Sequence, residues 1–126
     1  TEPSRLARLR DTSLPKRERV FAARDLAWLR RMQGGENLEL GCLRLGPARI
    51  VHMPGELCIA YQLHAQQTLP EQFVAMAAYG DLGPGYICTE IAYSQGGYET
   101  GRVSRVAPKV EPVLHEAMQE MLGMVA

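Results

Sequence analysis

The sequence has few of the features that would announce a chemistry at once. Cysteine is sparse and odd in number. Cys42, Cys58 and Cys88 are widely spaced and signal neither a disulfide framework nor a CxxC metal knuckle. They read as three small buried apolar residues. No run approaches the roughly 18 apolar residues of a membrane span, and residues 1–13 contain no hydrophobic targeting stretch. Net charge is zero at 46% hydrophobic content, which excludes an intrinsically disordered chain. Histidine occurs three times, at His52, His64 and His115, without an HxxxH or HExxH arrangement, and no GxSxG frames a serine. A complete zinc site or a serine-nucleophile site is therefore not legible within the chain alone.

What is present is enough for one folded domain. A chain of 126 residues can bury roughly two-thirds of its unfolded surface. Its neutrality hides an asymmetry. Residues 1–31 carry nine basic side chains against four acidic ones, a net of +5, and the remainder carries −5. The basic residues share a helical stretch with Phe21, Trp28, Leu29 and Met32, with no aromatic stacking partners interleaved in a strand or loop. They read as a solvated helix face, or as one that docks on acidic parts of the same protein, and no nucleic-acid partner is expected. The first residue is Thr1, as in a piece of a longer chain.

Along the chain, residues 1–13 read as a polar tail or linker and 14–126 as a single domain. Ser13 before Leu14-Pro15 resembles a helix cap, and Phe21, Trp28 and Met32 form a stripe on a helix over 14–33 that Gly34-Gly35 closes. Runs 38–45 and 48–53, broken by Gly46-Pro47, predict an antiparallel hairpin whose Ile50-Val51 belongs to a central strand. Residues 56–67 lack breakers and carry Ile59, Ala60 and Leu63 at helical spacing. The apolar run 73–79 reads as a buried strand. A glycine-rich loop, Gly80 to Gly85, precedes Tyr86-Ile87-Cys88-Thr89. Val110, Val113, Leu114, Ala117, Met118, Met121 and Leu122 mark a terminal helix ended by Gly123. The order α-β-β-α-β-loop-α predicts an α/β or α+β fold, a mixed sheet of about three to five strands with helices packed on it and one parallel crossover.

Three places combine chain punctuation with reactive side chains. His52-Met53-Pro54-Gly55-Glu56 is a strand end, where ligands collect in open sheets. Glu56 there can bind a metal or act as a base, or it can simply complement a helix dipole. The Gly80–Gly85 loop is not a phosphate-binding GxGxxG; it reads as a tight turn that aims Tyr86. Gly96-Gly97-Tyr98-Glu99 lets a tyrosine and a glutamate stand in a cleft, or lets the tyrosine pack half-buried.

Pro54-Gly55-Glu56, Tyr86-Ile87-Cys88-Thr89 and Gly96-Gly97-Tyr98-Glu99, in this order, resemble the carboxy-terminal part of the catalytic domain of neutral/alkaline non-lysosomal ceramidases, especially the shorter bacterial ceramidase-like proteins. The likeness covers roughly residues 15–122. It implies a zinc-dependent amidohydrolase in which Glu56 and Tyr86 are metal ligands and Tyr98 stands beside the scissile amide; His52 and Glu99, next to these residues in the sequence, are candidate supporting residues. It further implies two histidine ligands from an upstream region or partner chain, a small-molecule or lipid amide substrate, and export. The sequence departs from the pattern at Leu57-Cys58-Ile59 and Thr100-Gly101, where ceramidases carry other residues. The expectation is thus a carboxy-terminal portion of a larger catalytic unit, inactive alone. The alternative is a non-catalytic interaction domain that packs on a partner chain or self-associates as a homo-oligomer.

Overall fold

The computed structural model describes residues 1–123. The chain divides into two compact units, Thr1–Asn37 and Leu38–Ala126, where the sequence predicts a tail and a single domain from residue 14.

The first unit is a helical hairpin. The expected polar tail is helix α1, Glu2–Arg10. Ala7, Leu6, Leu9 and three arginines are good helix formers. Glu2 in the first turn and Arg8 and Arg10 in the last complement the helix dipole. Helix α2, Lys16–Gln33, returns antiparallel to it, tied by ion pairs Arg8–Glu18 at 2.9 Å and Arg30–Glu2 at 2.7 Å. Much of the basic charge is therefore answered locally. The expected Ser13 cap is not used; Ser13 instead bonds back to the Asp11 carboxylate, and Pro15 occupies the cap position. Nor is the aromatic stripe the buried face. Ala22 and Leu26 are buried, while Phe21 and Trp28 lie beneath the guanidinium groups of Arg17 and Arg31. Gly35, at φ 76°, supplies the left-handed residue after the helix.

The second unit is α+β, with a mixed three-stranded sheet. Strand β1, Gly41–Leu45, pairs antiparallel with β2, Ala48–Pro54, across Gly46-Pro47. Gly46 has φ 56°, and the proline ring fixes the next φ negative, which selects a type II′ turn. Helix α3, Ile59–Thr68, carries the chain over to β4, Phe73–Gly80, which lies parallel to β2. The sheet order is β1-β2-β4, so β2 is central as its β-branched pair predicts. β4 is an edge, not the fully buried strand its apolar run implies: Phe73 is 66% exposed. A second, two-residue parallel pair joins β3, Glu56–Leu57, to β5, Tyr86–Ile87. Helix α4, Glu90–Gln95, and helix α5, Val110–Leu122, complete the unit, and Gly123 closes α5 in the left-handed conformation. Among the described residues, no helix is long and apolar enough to cross a membrane.

The core lies between the sheet, α3 and α5: Val51, Met53, Tyr61, Ala65, Val74, Ile87, Leu114, Met118 and Leu122. On α3 the buried face is Tyr61 and Ala65, so Ile59 and Leu63, the apolar residues at helical spacing, point outward. The Tyr61 hydroxyl satisfies the Cys88 carbonyl at 3.0 Å. His64 and His115 stack between α3 and α5 with ring centroids 3.7 Å apart, and Tyr61 meets His115 edge-on. Burial, and then the neighbouring His64, lower the pKa of His115 from 6.5, against an opposing pull from Glu111. The unfolded chain therefore binds this proton more readily than the folded one. Stability is full above about pH 6.5 and falls as the pH drops through the folded value. Denaturant unfolding across this range is expected to show that loss, and His115→Phe is expected to flatten it. An unchanged slope in the variant would place the titration elsewhere.

Candidate functional site

Where β2 ends, the chain passes Pro54-Gly55 against the Gly80–Gly85 loop. The two backbones touch. A Cβ on Gly55 would sit 2.6 Å from the Gly85 carbonyl oxygen, and one on Gly83 would sit 2.2 Å from the Gly55 nitrogen. Only glycine fits either position, because the obstructing atoms are backbone. The contact is clasped by hydrogen bonds from the Tyr79 amide to the Gly55 carbonyl, from the Glu56 amide to the Gly85 carbonyl at 2.8 Å, and from the Cys58 amide to the Ile87 carbonyl at 3.0 Å. These bonds set β3 and β5 in register, with Glu56 opposite Tyr86. The glycine-rich loop does aim Tyr86.

Glu56 belongs to β3 rather than to a helix, and α3 has no acidic residue in its first turn. The helix-dipole explanation of this carboxylate therefore lapses. Its hydrogen-bond partners are two phenols, Tyr86 and Tyr79. Because the protonated phenol donates to the carboxylate, the Tyr86 pKa is pushed up to about 12, with desolvation and the negative charge of Glu56 adding to it. Tyr79 is raised in the same direction for the same first cause. Tyr98, in the loop after α4, sets its ring edge-on to Tyr86 at 5.8 Å between centroids. It is 65% exposed, so it is not packing in the half-buried sense. Glu56, Tyr86 and Tyr98 are thus brought together on an open surface.

The supporting residues fall elsewhere. The His52 ring lies against Gly80, where a Cβ would come within 2.2 Å of its Nε2. Glu99 is exposed next to the tyrosine loop, and its charge is felt at Cys88. Sequence reasoning missed Tyr79. It ends the apolar run 73–79 and reads as part of a buried strand, yet it is 72% exposed and bonds Glu56. Its φ is 65°, and Asp81 and Leu82 also have positive φ. Such conformations cost non-glycine residues about 1–3 kcal/mol each. Here they sit on the turn that delivers Tyr79 to the carboxylate. No signal in the sequence marks it, because its place depends on the parallel register that sets the end of β4 beside Pro54-Gly55.

The cluster offers one carboxylate and one phenolic oxygen side by side. Among the described residues, no three His, Cys, Asp or Glu side chains converge as a metal site. Comparison with protein-family models, with curated proteins and with solved structures finds no match to this chain.

Removing the carboxylate tests the cluster. Glu56→Gln is expected to bring the high tyrosine titrations back towards the ordinary value of 10, read from phenolate absorbance. A titration curve identical to wild type would show that Glu56 does not bond these phenols.

Proposed function

We propose that this chain is the carboxy-terminal part of a ceramidase-like, zinc-dependent amidohydrolase, which contributes two oxygen ligands to a site completed by an upstream region or partner chain. The observation that carries the reading is the register pair Glu56–Tyr86. These two residues, 30 positions apart, are the ones the resemblance assigns to the metal, and they stand side by side. The donor set is chemically suitable. A carboxylate and a phenolate are oxygen ligands of the kind zinc accepts, and two donors leave two of about four positions for histidines from elsewhere.

In this reading Glu56 is the fixed ligand. Two phenols, Tyr86 and Tyr79, interact with its carboxylate. Tyr86 is protonated at neutral pH as any phenol is, and the hydrogen bond to Glu56 pushes its pKa further up, to about 12. Ligation therefore requires that proton to leave, so zinc uptake strengthens as pH rises. Tyr98 is the exposed hydroxyl beside the pair and can donate a hydrogen bond to the oxyanion that develops on an amide carbonyl. The chemistry zinc supplies when bound is Lewis acidity, towards a carbonyl and towards water. The substrate class is a small-molecule or lipid amide.

One observation favours the alternative of an interaction domain. Ile59 and Leu63 form an exposed apolar pair one turn apart on α3, opposite its buried face, with Ile59 70% exposed. That face suits a partner chain or a second copy.

Calorimetric titration of the chain with Zn²⁺ tests the leading reading. Wild type is expected to take up zinc only weakly, because the two histidine ligands lie outside this chain, and to release protons as it does so. Glu56→Gln and Tyr86→Phe are each expected to weaken uptake by at least about tenfold. Equal affinity in all three proteins contradicts the ligand assignment.

A further inference from the structure

Two residues beyond the Glu56–Tyr86 pair the same two strands carry two thiols that the proposed chemistry does not use. The register that sets Glu56 opposite Tyr86 and Leu57 opposite Ile87 makes Cys58 and Cys88 the next facing residues. The ladder continues to them through the bond from the Cys58 amide to the Ile87 carbonyl. Facing residues on adjacent strands have Cα atoms about 5 Å apart, inside the roughly 4.4–6.8 Å a disulfide spans. The Cys58 thiol donates to the Cys88 sulfur at 2.8 Å. No disulfide joins the two sulfurs in this structure.

Their surroundings are unequal. Cys88 is 2% exposed. Its carbonyl accepts the Tyr61 hydroxyl, and the Tyr93 hydroxyl stands at its amide. Cys58 is only half-buried, at the start of α3, so a reagent meets it first. Cys42 lies on β1, away from β3 and β5 in the sheet arrangement.

We propose that Cys58 and Cys88 are a thiol–disulfide exchange site for low-molecular-weight disulfides, with Cys58 the attacking residue and Cys88 the resolving one. The Cys58 thiolate attacks one sulfur of the small disulfide; that S–S bond breaks and one small thiolate leaves. Cys88 then gives up its proton and attacks the Cys58 sulfur, expelling the second thiolate. The two protons pass to the two leaving thiolates. The protein pair is oxidised by two electrons and the small disulfide is reduced to two thiols. The product bond staples β3 to β5 two residues beyond Glu56 and Tyr86. The inference stands on the register and the thiol contact and does not depend on metal.

The test uses the full chain carrying Cys42→Ser, treated with oxidised glutathione, then denatured, alkylated and mapped by mass spectrometry. The expected result is a monomer in which titratable thiols fall from two to none, with a reductant-sensitive peptide joining 58 to 88. Mapping the wild-type chain in the same way removes any effect of the Cys42 substitution. In a Cys42→Ser, Cys58→Ser chain, Cys88 is expected to stay unmodified until the protein is denatured. Persistent glutathione on Cys58, disulfide-linked dimers, or two thiols still titratable would each overturn the proposal. Because the readout is a covalent link without metal, its failure leaves the zinc reading standing, and the converse holds as well.

Discussion

The second unit depends on one close approach, the backbone contact of Pro54-Gly55 with the Gly80–Gly85 loop. Glycine is required at Gly55 and Gly83 because the atoms in the way are main-chain nitrogen and oxygen, which cannot move aside as a side chain can. Everything proposed about the site follows from that contact. It ends β2, turns the chain into β3, and locks β3 against β5 in parallel register. A short parallel pair of two residues per strand has little stability of its own. Its register is held from outside, by the clasp of amide-to-carbonyl bonds above it and by the core residues Leu57 and Ile87 packed below.

That register has two consequences along the pair. Toward the surface it sets Glu56 beside Tyr86, with Tyr79 arriving from the end of β4 on strained backbone and Tyr98 closing from the loop after α4. The carboxylate raises the pKa of both phenols. The same arrangement is a poor proton donor at neutral pH. Toward the interior, the register brings Cys58 and Cys88 together.

Much of the fold was legible where the signal is local. Gly46-Pro47 between two alternating runs marks the hairpin, the breaker-free stretch before Thr68 marks the crossover, and the Val110–Leu122 pattern closed by Gly123 marks the last helix. Reading failed where partners decide. Residues 1–13 look polar because Leu6 and Leu9 have only a helix partner to cover them, not a core. The run 73–79 looks buried, yet sheet order makes it an edge. On α3, Tyr61 buries because its hydroxyl finds the Cys88 carbonyl, which spacing alone does not reveal. For the site, Glu56, Tyr86 and Tyr98 could be read from punctuation and resemblance. Tyr79 and the cysteine pair could not, since both depend on a parallel register formed between segments about 30 residues apart.

The central claim is that the Glu56–Tyr86 oxygen pair, and not the thiols beyond it, is the metal-binding end of this register. X-ray absorption at the zinc edge, on the zinc-loaded reduced chain, tests it most directly. The account predicts a shell of oxygen or nitrogen scatterers at about 2.0–2.2 Å, lost in Glu56→Gln. A sulfur shell at about 2.3 Å, or a shell unchanged by that substitution, would contradict it.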